Sequence, residues 1–161
     1  MKVFVSYSTR DLADVKALKA SLADSPIETF VAENSVKPSD SLAKKIKEAI
    51  KSCDLFVVVW SNNAKNSDWV SQEVGQAVAF NKKVLPIVLE GSTGLPGFIG
   101  ELKYISAEGK PSEAIQEARD LIIARYRERQ EAERVAQRKK SESEAKFLLG
   151  AGALALWLFS N

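Results

Sequence analysis

Six consecutive apolar residues, Leu55-Phe56-Val57-Val58-Val59-Trp60, constrain this chain more than any other stretch. The run has the length of one strand, and it lacks the polar alternation of a half-solvated one. A strand of that kind is covered on both faces, as at the centre of a parallel sheet packed between helices. The flanking segments agree. Lys2 to Tyr7 is rich in β-branched and aromatic residues and reads as a buried strand. Ser8-Thr9-Arg10-Asp11 offers N-cap chemistry, and Leu12, Val15, Leu18 and Leu22 then recur at helical spacing until Asp24-Ser25-Pro26. Ile27 to Val31 reads as a second strand. The polar stretch Glu33 to Ser39, with Pro38 in it, reads as a loop. Ser39, Asp40 or Ser41 can cap a second helix with Leu42, Ile46 and Ile50 on one face and Lys44, Lys45 and Lys47 solvated away from it.

After the central strand, Ser61 to Asp68 reads as a polar loop, and Trp69, Val70, Val74, Ala77 and Val78 mark a third helix. Val84 to Leu89 is a fourth strand, with Pro86 pointing to an edge or a bulge, and Leu102 to Ser106 a short fifth. This alternation predicts an α/β fold: a flavodoxin-like three-layer sandwich around a parallel sheet of about five strands, joined by right-handed crossovers. Beyond Pro111, Ala114, Ile115, Ala118, Leu121, Ile122 and Arg125 form a stripe expected to dock on the sheet. The stripe then fades while charge stays dense, with nine Lys+Arg against eight Asp+Glu from Pro111 to Lys146, as in an exposed helix laced with i,i+4 pairs. The expected organisation is a domain over 1–125, a charged helical stalk over 126–146 and a hydrophobic tail over 147–161.

Composition excludes several function classes. A net charge of +2, with no basic block in the first hundred residues, argues against a nucleic-acid partner. A single cysteine, Cys53, cannot form an internal disulfide, and its place at a helix-to-strand junction reads as a small buried hydrophobe in a reducing compartment. The chain has no histidine, which removes the usual general base, His-based metal sites and a Ser-His triad. No metal site is expected, and no signal peptide is read at the N-terminus. There is no G-x-G-x-x-G after the first strand and no G-x-x-x-x-G-K-[ST], so dinucleotide-fold and P-loop phosphate sites are disfavoured. A phospho-acceptor receiver would want acidic ends to its first and third strands, whereas these end in Tyr7 and Trp60-Ser61.

What remains is Ser67-Asp68-Trp69-Val70-Ser71-Gln72-Glu73, which sets an aromatic ring and a carboxylate one helical turn apart, just beyond the central strand. That places the pair at the C-terminal edge of the sheet, where open α/β sheets keep their ligand crevice.

Over roughly residues 1 to 125 the chain resembles the Toll/interleukin-1 receptor (TIR) domain family. Val3-Phe4-Val5-Ser6-Tyr7-Ser8 is similar to its first box, and Glu28-Thr29-Phe30-Val31 followed by Glu33 to Asp40 to its second strand and BB loop. Asp54 to Ser61 resembles its third strand, Ser67 to Glu73 its S-x-W-x-x-x-E element, and Lys83-Val84-Leu85-Pro86-Ile87 its fourth strand. The departures are small. Ser39 follows Pro38 where many members carry Gly, and Ala32 stands where an acidic residue often follows the second strand. Ser8 and Thr9 fall where some members are basic, leaving only Arg10.

The resemblance implies cleavage of the nicotinamide–ribose bond of NAD⁺, as substrate and not as cofactor, with Glu73 as the catalytic carboxylate. It further implies Trp69, Ser8, Thr9, Arg10 and Lys37 at the substrate, and self-association through the BB loop (Glu33, Asn34, Ser35, Val36, Lys37, Pro38, Ser39 and Asp40), which can extend into filaments. The products would be nicotinamide with ADP-ribose or a cyclic isomer, in antiviral or cell-death signalling. A non-catalytic adaptor acting through TIR–TIR contacts is the other expectation. A domain starting at Met1 without receptor segments looks like a bacterial or archaeal member.

Phe147 to Phe159 is almost unbroken hydrophobic sequence. As a helix its thirteen residues reach about 20 Å, against about 30 Å of hydrocarbon. Seven Leu and Phe residues favour insertion by roughly 3 kcal/mol. With Arg138, Lys139, Lys140 and Lys146 before it, the expectation is a cytoplasmic domain tethered to the inner membrane face by this short tail, the other reading being a helix packed on protein.

Overall fold

The computed structural model describes the backbone of residues 1–31, 40–91 and 94–159 and the side chains of residues 1–31, 42–91 and 94–147. Five parallel strands form one sheet: β1 (Lys2–Ser6), β2 (Glu28–Val31), β3 (Leu55–Trp60), β4 (Val84–Val88) and β5 (Ile105–Ser106), in the order β2-β1-β3-β4-β5. The six residues of β3 are all buried at the centre of the sheet, as their unbroken apolar run requires. The helices are α1 (Leu12–Ser21), α2 (Asp40–Ser52), α3 (Asn62–Lys65), α4 (Asp68–Ala79) and α5 (Pro111–Phe159). Two compact units divide the chain, Met1–Ile123 and Ala124–Asn161.

The sheet separates two apolar layers because strand side chains alternate between faces. On one face Phe4, Phe56, Val58 and Trp60 meet Ile46 and Ile50 of α2 and Val70, Val74 and Ala77 of α4. Phe4 stacks between Phe30 and Phe56, with centroids 5.4 and 5.3 Å away, following the register that sets Phe4 beside both. On the other face Val59 and Ile87 line a small crevice with Leu18 of α1 and Ala114 and Ile115 of α5. Arg119 of α5 donates to the Ser21 carbonyl at 2.9 Å and ties these helices together. The buried stripe of α5 is Ala114, Ala118 and Ile122, spaced i,i+4. Leu121, expected on it, is 44% exposed because it lies one residue round the helix.

Pro86 sits in β4, which has neighbours on both sides. Leu89 donates to Trp60 on β3, so by the two-residue period Leu85 and Ile87 also aim their N–H groups at β3. Pro86 therefore faces the other side, where β5 reaches only Ile87 and Val88. Its missing donor costs the sheet nothing at that register. The fifth strand itself is two residues long, so Leu102 to Tyr104 are not strand. Asn81 (φ 52°) and Gly109 (φ 69°) use left-handed backbone to turn the chain toward β4 and α5.

Two expectations about helix starts are corrected. Ser61 to Asp68 is not all loop: Ser61 accepts from the Ala64 N–H at 3.0 Å and caps the four-residue α3. At the start of α1, Asp11 occupies the N-cap position, preceded by a 3-10 turn over Thr9–Asp11, yet its side chain makes no capping bond. Its carboxylate is used elsewhere, as described below. Lysines 44, 45 and 47 are exposed, in keeping with a solvated face.

Candidate functional site

Helix α4 delivers Glu73 to the sheet. Ser67 starts it by accepting from the Val70 N–H at 3.4 Å, and Val70, Val74 and Ala77 then face the core. The inward stripe at i, i+3, i+4 and i+7 runs Val70, Glu73, Val74, Ala77. Glu73 thus occupies a position that an ordinary amphipathic helix fills with an apolar side chain, and it is 1% exposed. Ser6 ends β1 on the same face as Phe4, two residues on, and so points at α4. Its Oγ donates to Glu73 Oε2 at 2.5 Å within a buried environment. A charge-assisted bond of this kind is what makes a buried carboxylate tolerable.

Trp69 lies one turn before Glu73, half-buried against the core layer that includes Ile46, Val70 and Val74. Ser8 is buried beyond the end of β1, while Thr9 and Arg10 are exposed in the 3-10 turn. Of the BB-loop residues, Asp40 opens α2, and Glu33, Asn34, Ser35, Val36, Lys37, Pro38 and Ser39 lie outside the described residues. Among the described residues no group of acidic or thiol side chains is arranged to hold a metal. Cys53 is buried, its Sγ donating to the Ile50 carbonyl at 3.1 Å, and burial pushes its thiol above the ordinary value despite the nearby Lys82.

A second polar group at the same sheet edge was not legible as a site. Asp11, 5% exposed, accepts from Ser61 Oγ at 2.5 Å and from Asn63 Nδ2 at 2.7 Å. Glu90, beyond β4, accepts from the Asn62 N–H at 2.8 Å. Carboxylates from two connections therefore hold the start of α3, which leads directly into α4. Nothing in the spacing of Asp11, Ser61 and Asn63 along the chain announces this, because the contact spans fifty residues. Ser6 could have been found from the strand pattern, as the polar residue on the face that Phe4 buries.

Residues 3–123 match the family model for the TIR domain. The chain belongs to the TIR domain family. Among solved structures, this TIR fold is similar to the TIR domain of the Toll-related receptor TRR-2 from Hydra magnipapillata, at 19% identity and a TM-score of 0.59, covering 76% of this chain and 94% of that one. It is equally similar to the Clostridium botulinum CMP N-glycosidase BcmB, at 24% identity and a TM-score of 0.59, covering 76% and 99%. A prokaryotic SEFIR domain follows at 20% identity and 0.55, covering 75% and 97%. No curated protein matches the sequence. At these identities the likeness is one of fold.

Proposed function

We propose that this TIR protein is an NAD⁺ nucleosidase in which Glu73 is the catalytic carboxylate. The observation that carries the reading is the buried position of Glu73 at the C-terminal side of β1, on a helical stripe that packing alone would make apolar. Places where a sequence breaks its local packing rule are expected at functional or strained sites. Heterolysis of the C1′–N bond sends the bonding pair to nicotinamide, which leaves neutral, and leaves positive charge on the ribose. A fixed carboxylate stabilises that oxocarbenium-like charge. Water then adds at C1′ and loses a proton to solvent, giving ADP-ribose, or an adenine nitrogen adds in its place, giving a cyclic isomer. The leaving group needs no general acid, which suits a chain without histidine. The fold's compatibility with N-glycosidic chemistry is supported by the CMP N-glycosidase that shares it.

In this reading Trp69 walls the nicotinamide side, Ser8, Thr9, Arg10 and Lys37 meet the dinucleotide, and a neighbouring copy's BB loop completes the site. At 1% exposure the carboxylate is closed to a substrate until that edge opens, which fits activity that depends on self-assembly. The biological setting proposed is antiviral or cell-death signalling, with residues 147–161 tethering the domain to the inner face of a membrane. Among the described residues no helix is long and apolar enough to cross one.

The same closure favours a second reading, a non-catalytic adaptor in which the Ser6–Glu73 bond is only a structural tie. Concentrated protein incubated with NAD⁺, with products separated chromatographically, decides between them. Turnover that disappears in Glu73→Gln supports the enzyme. Equal turnover by the variant would sink the site assignment, and no turnover by either under assembly-forcing conditions points to the adaptor.

A further inference from the structure

We infer that Asp11 is a positioning residue for Glu73, acting through Ser61 and Asn63 on the start of α3 and α4. The inference rests on the reading of Glu73 as the catalytic carboxylate. Asp11 is buried at the turn between β1 and α1, and spends both carboxylate oxygens on the β3–α4 connection: Oδ2 on Ser61 at 2.5 Å and Oδ1 on Asn63 at 2.7 Å. Ser61 Oγ in turn accepts from Ala64 at 3.0 Å, so one hydroxyl is both held by Asp11 and capping α3. Ser67, the cap of α4, donates its N–H to the Ala64 carbonyl at 3.0 Å. A path of hydrogen bonds thus runs from the Asp11 carboxylate to Ser67, the N-cap of the helix that carries Glu73. Ser6, five residues before Asp11, bonds Glu73 itself at 2.5 Å. The end of β1 and the turn after it therefore act on Glu73 twice, directly through Ser6 and at a distance through Asp11.

A cap of α3 needs only a hydroxyl at position 61. The added carboxylate, two-armed and buried, exceeds that requirement, and a buried charge is costly unless its hydrogen bonds are made. Its geometry restrains rotation and translation of the α3–α4 entry. A shift of about 1 Å in a catalytic group is enough to cost about a hundredfold in rate.

The test compares the full chain with Asp11→Asn, Ser61→Ala and the double variant, measuring NAD⁺ turnover, thermal unfolding and hydrogen exchange over residues 62–73. The expected result is a fall in kcat of about 10- to 100-fold in each single variant with KM changed less than about twofold. The double variant should be no slower than the worse single one, because the pair acts as a unit. Activity lost only in proportion to the unfolded fraction, or single effects that multiply, would overturn the inference. If the unaltered chain has no NAD⁺ turnover, the nucleosidase reading fails and exchange decides the positioning. Amides 62–70 should then open at least about tenfold faster in Asp11→Asn while β1 and β3 stay protected. Unchanged exchange there would refute the restraint.

Discussion

At the scale of single residues, the proposed catalytic role of Glu73 sets function against stability. The carboxylate sits in a stripe position, so an amide of the same shape removes a buried charge while keeping an acceptor for Ser6. Glu73→Gln should raise unfolding free energy by about 0.5–2 kcal/mol while removing turnover, as read by urea denaturation beside the NAD⁺ assay. A variant less stable than the parent would mean that the charge is well matched by its surroundings. Ser6→Ala takes away the donor and should cost about 1–3 kcal/mol next to the carboxylate, and less in the Glu73→Gln background. Cys53 offers a pH signature. Burial raises its thiol, so the folded chain keeps a proton that the unfolded chain gives up. The stability this contributes is complete below the ordinary thiol value of 9.0 and is lost as pH rises above it toward the folded value. Cys53→Ala should flatten that alkaline decline in a series of denaturation curves, and an unchanged slope would assign the decline to other groups. Burial of Cys53 was legible because a small sulfur at a helix–strand junction has one common use. Burial of Glu73 was less so: Trp69, Val70, Val74, Ala77 and Val78 mark the helix, and the one-turn spacing that sets Glu73 beside Trp69 does not say that the acid faces inward.

At the scale of elements, periodicity located β1 to β4 and helices α1, α2 and α4, since each carries enough apolar residues to declare a period. It missed α3 for the opposite reason. Four residues, Asn62 to Lys65, include one buried side chain, and their helical state comes from the Ser61 cap and from Asp11 and Glu90, which are remote in sequence. Local signals cannot report a helix that distant carboxylates hold. The two serine caps make this testable. Ser67→Ala removes a long bond of 3.4 Å from a half-buried cap and should cost about 0.5–1 kcal/mol. Ser61→Ala removes the α3 cap and also leaves the Asp11 carboxylate short of a buried donor, so about 2–4 kcal/mol is expected. Chemical denaturation of both variants gives the comparison. Equal costs would show that the Asp11–Ser61 bond contributes little beyond capping. The BB loop belongs to this scale too, and residues 32–39 lie outside the described residues, so the loop enters only through the Asp40 end that begins α2.

At the scale of the whole molecule, the two units draw on different physics. Met1–Ile123 owns the sheet, the stacked rings Phe30, Phe4 and Phe56, and the buried stripe of α5. In Ala124–Asn161 the described side chains are mostly exposed, and helix support comes from pairs such as Arg129–Glu133 at 2.7 Å and Arg138–Glu142 at 3.0 Å. Exposed i,i+4 pairs are worth roughly 0.3–0.5 kcal/mol each. A chain ending at Tyr126 should therefore unfold cooperatively with a urea midpoint close to that of the full chain. The C-terminal unit carries the segment proposed as a membrane tether. Residues 124–161 carry eight Lys+Arg against five Glu, and the apolar run from Phe147 closes them. Insertion of that run favours the membrane by only about 3 kcal/mol, and each basic residue held near anionic lipid adds about 1 kcal/mol. Tethering that rests on both terms must weaken in salt, whereas a full span would not. Sedimentation with vesicles containing phosphatidylserine should capture the full chain at low ionic strength, less of it in about 0.5 M salt, and none of a chain ending at Lys146. Equal sedimentation of the two chains would refute the tether, and leave the tail to be explained as a helix packed on protein.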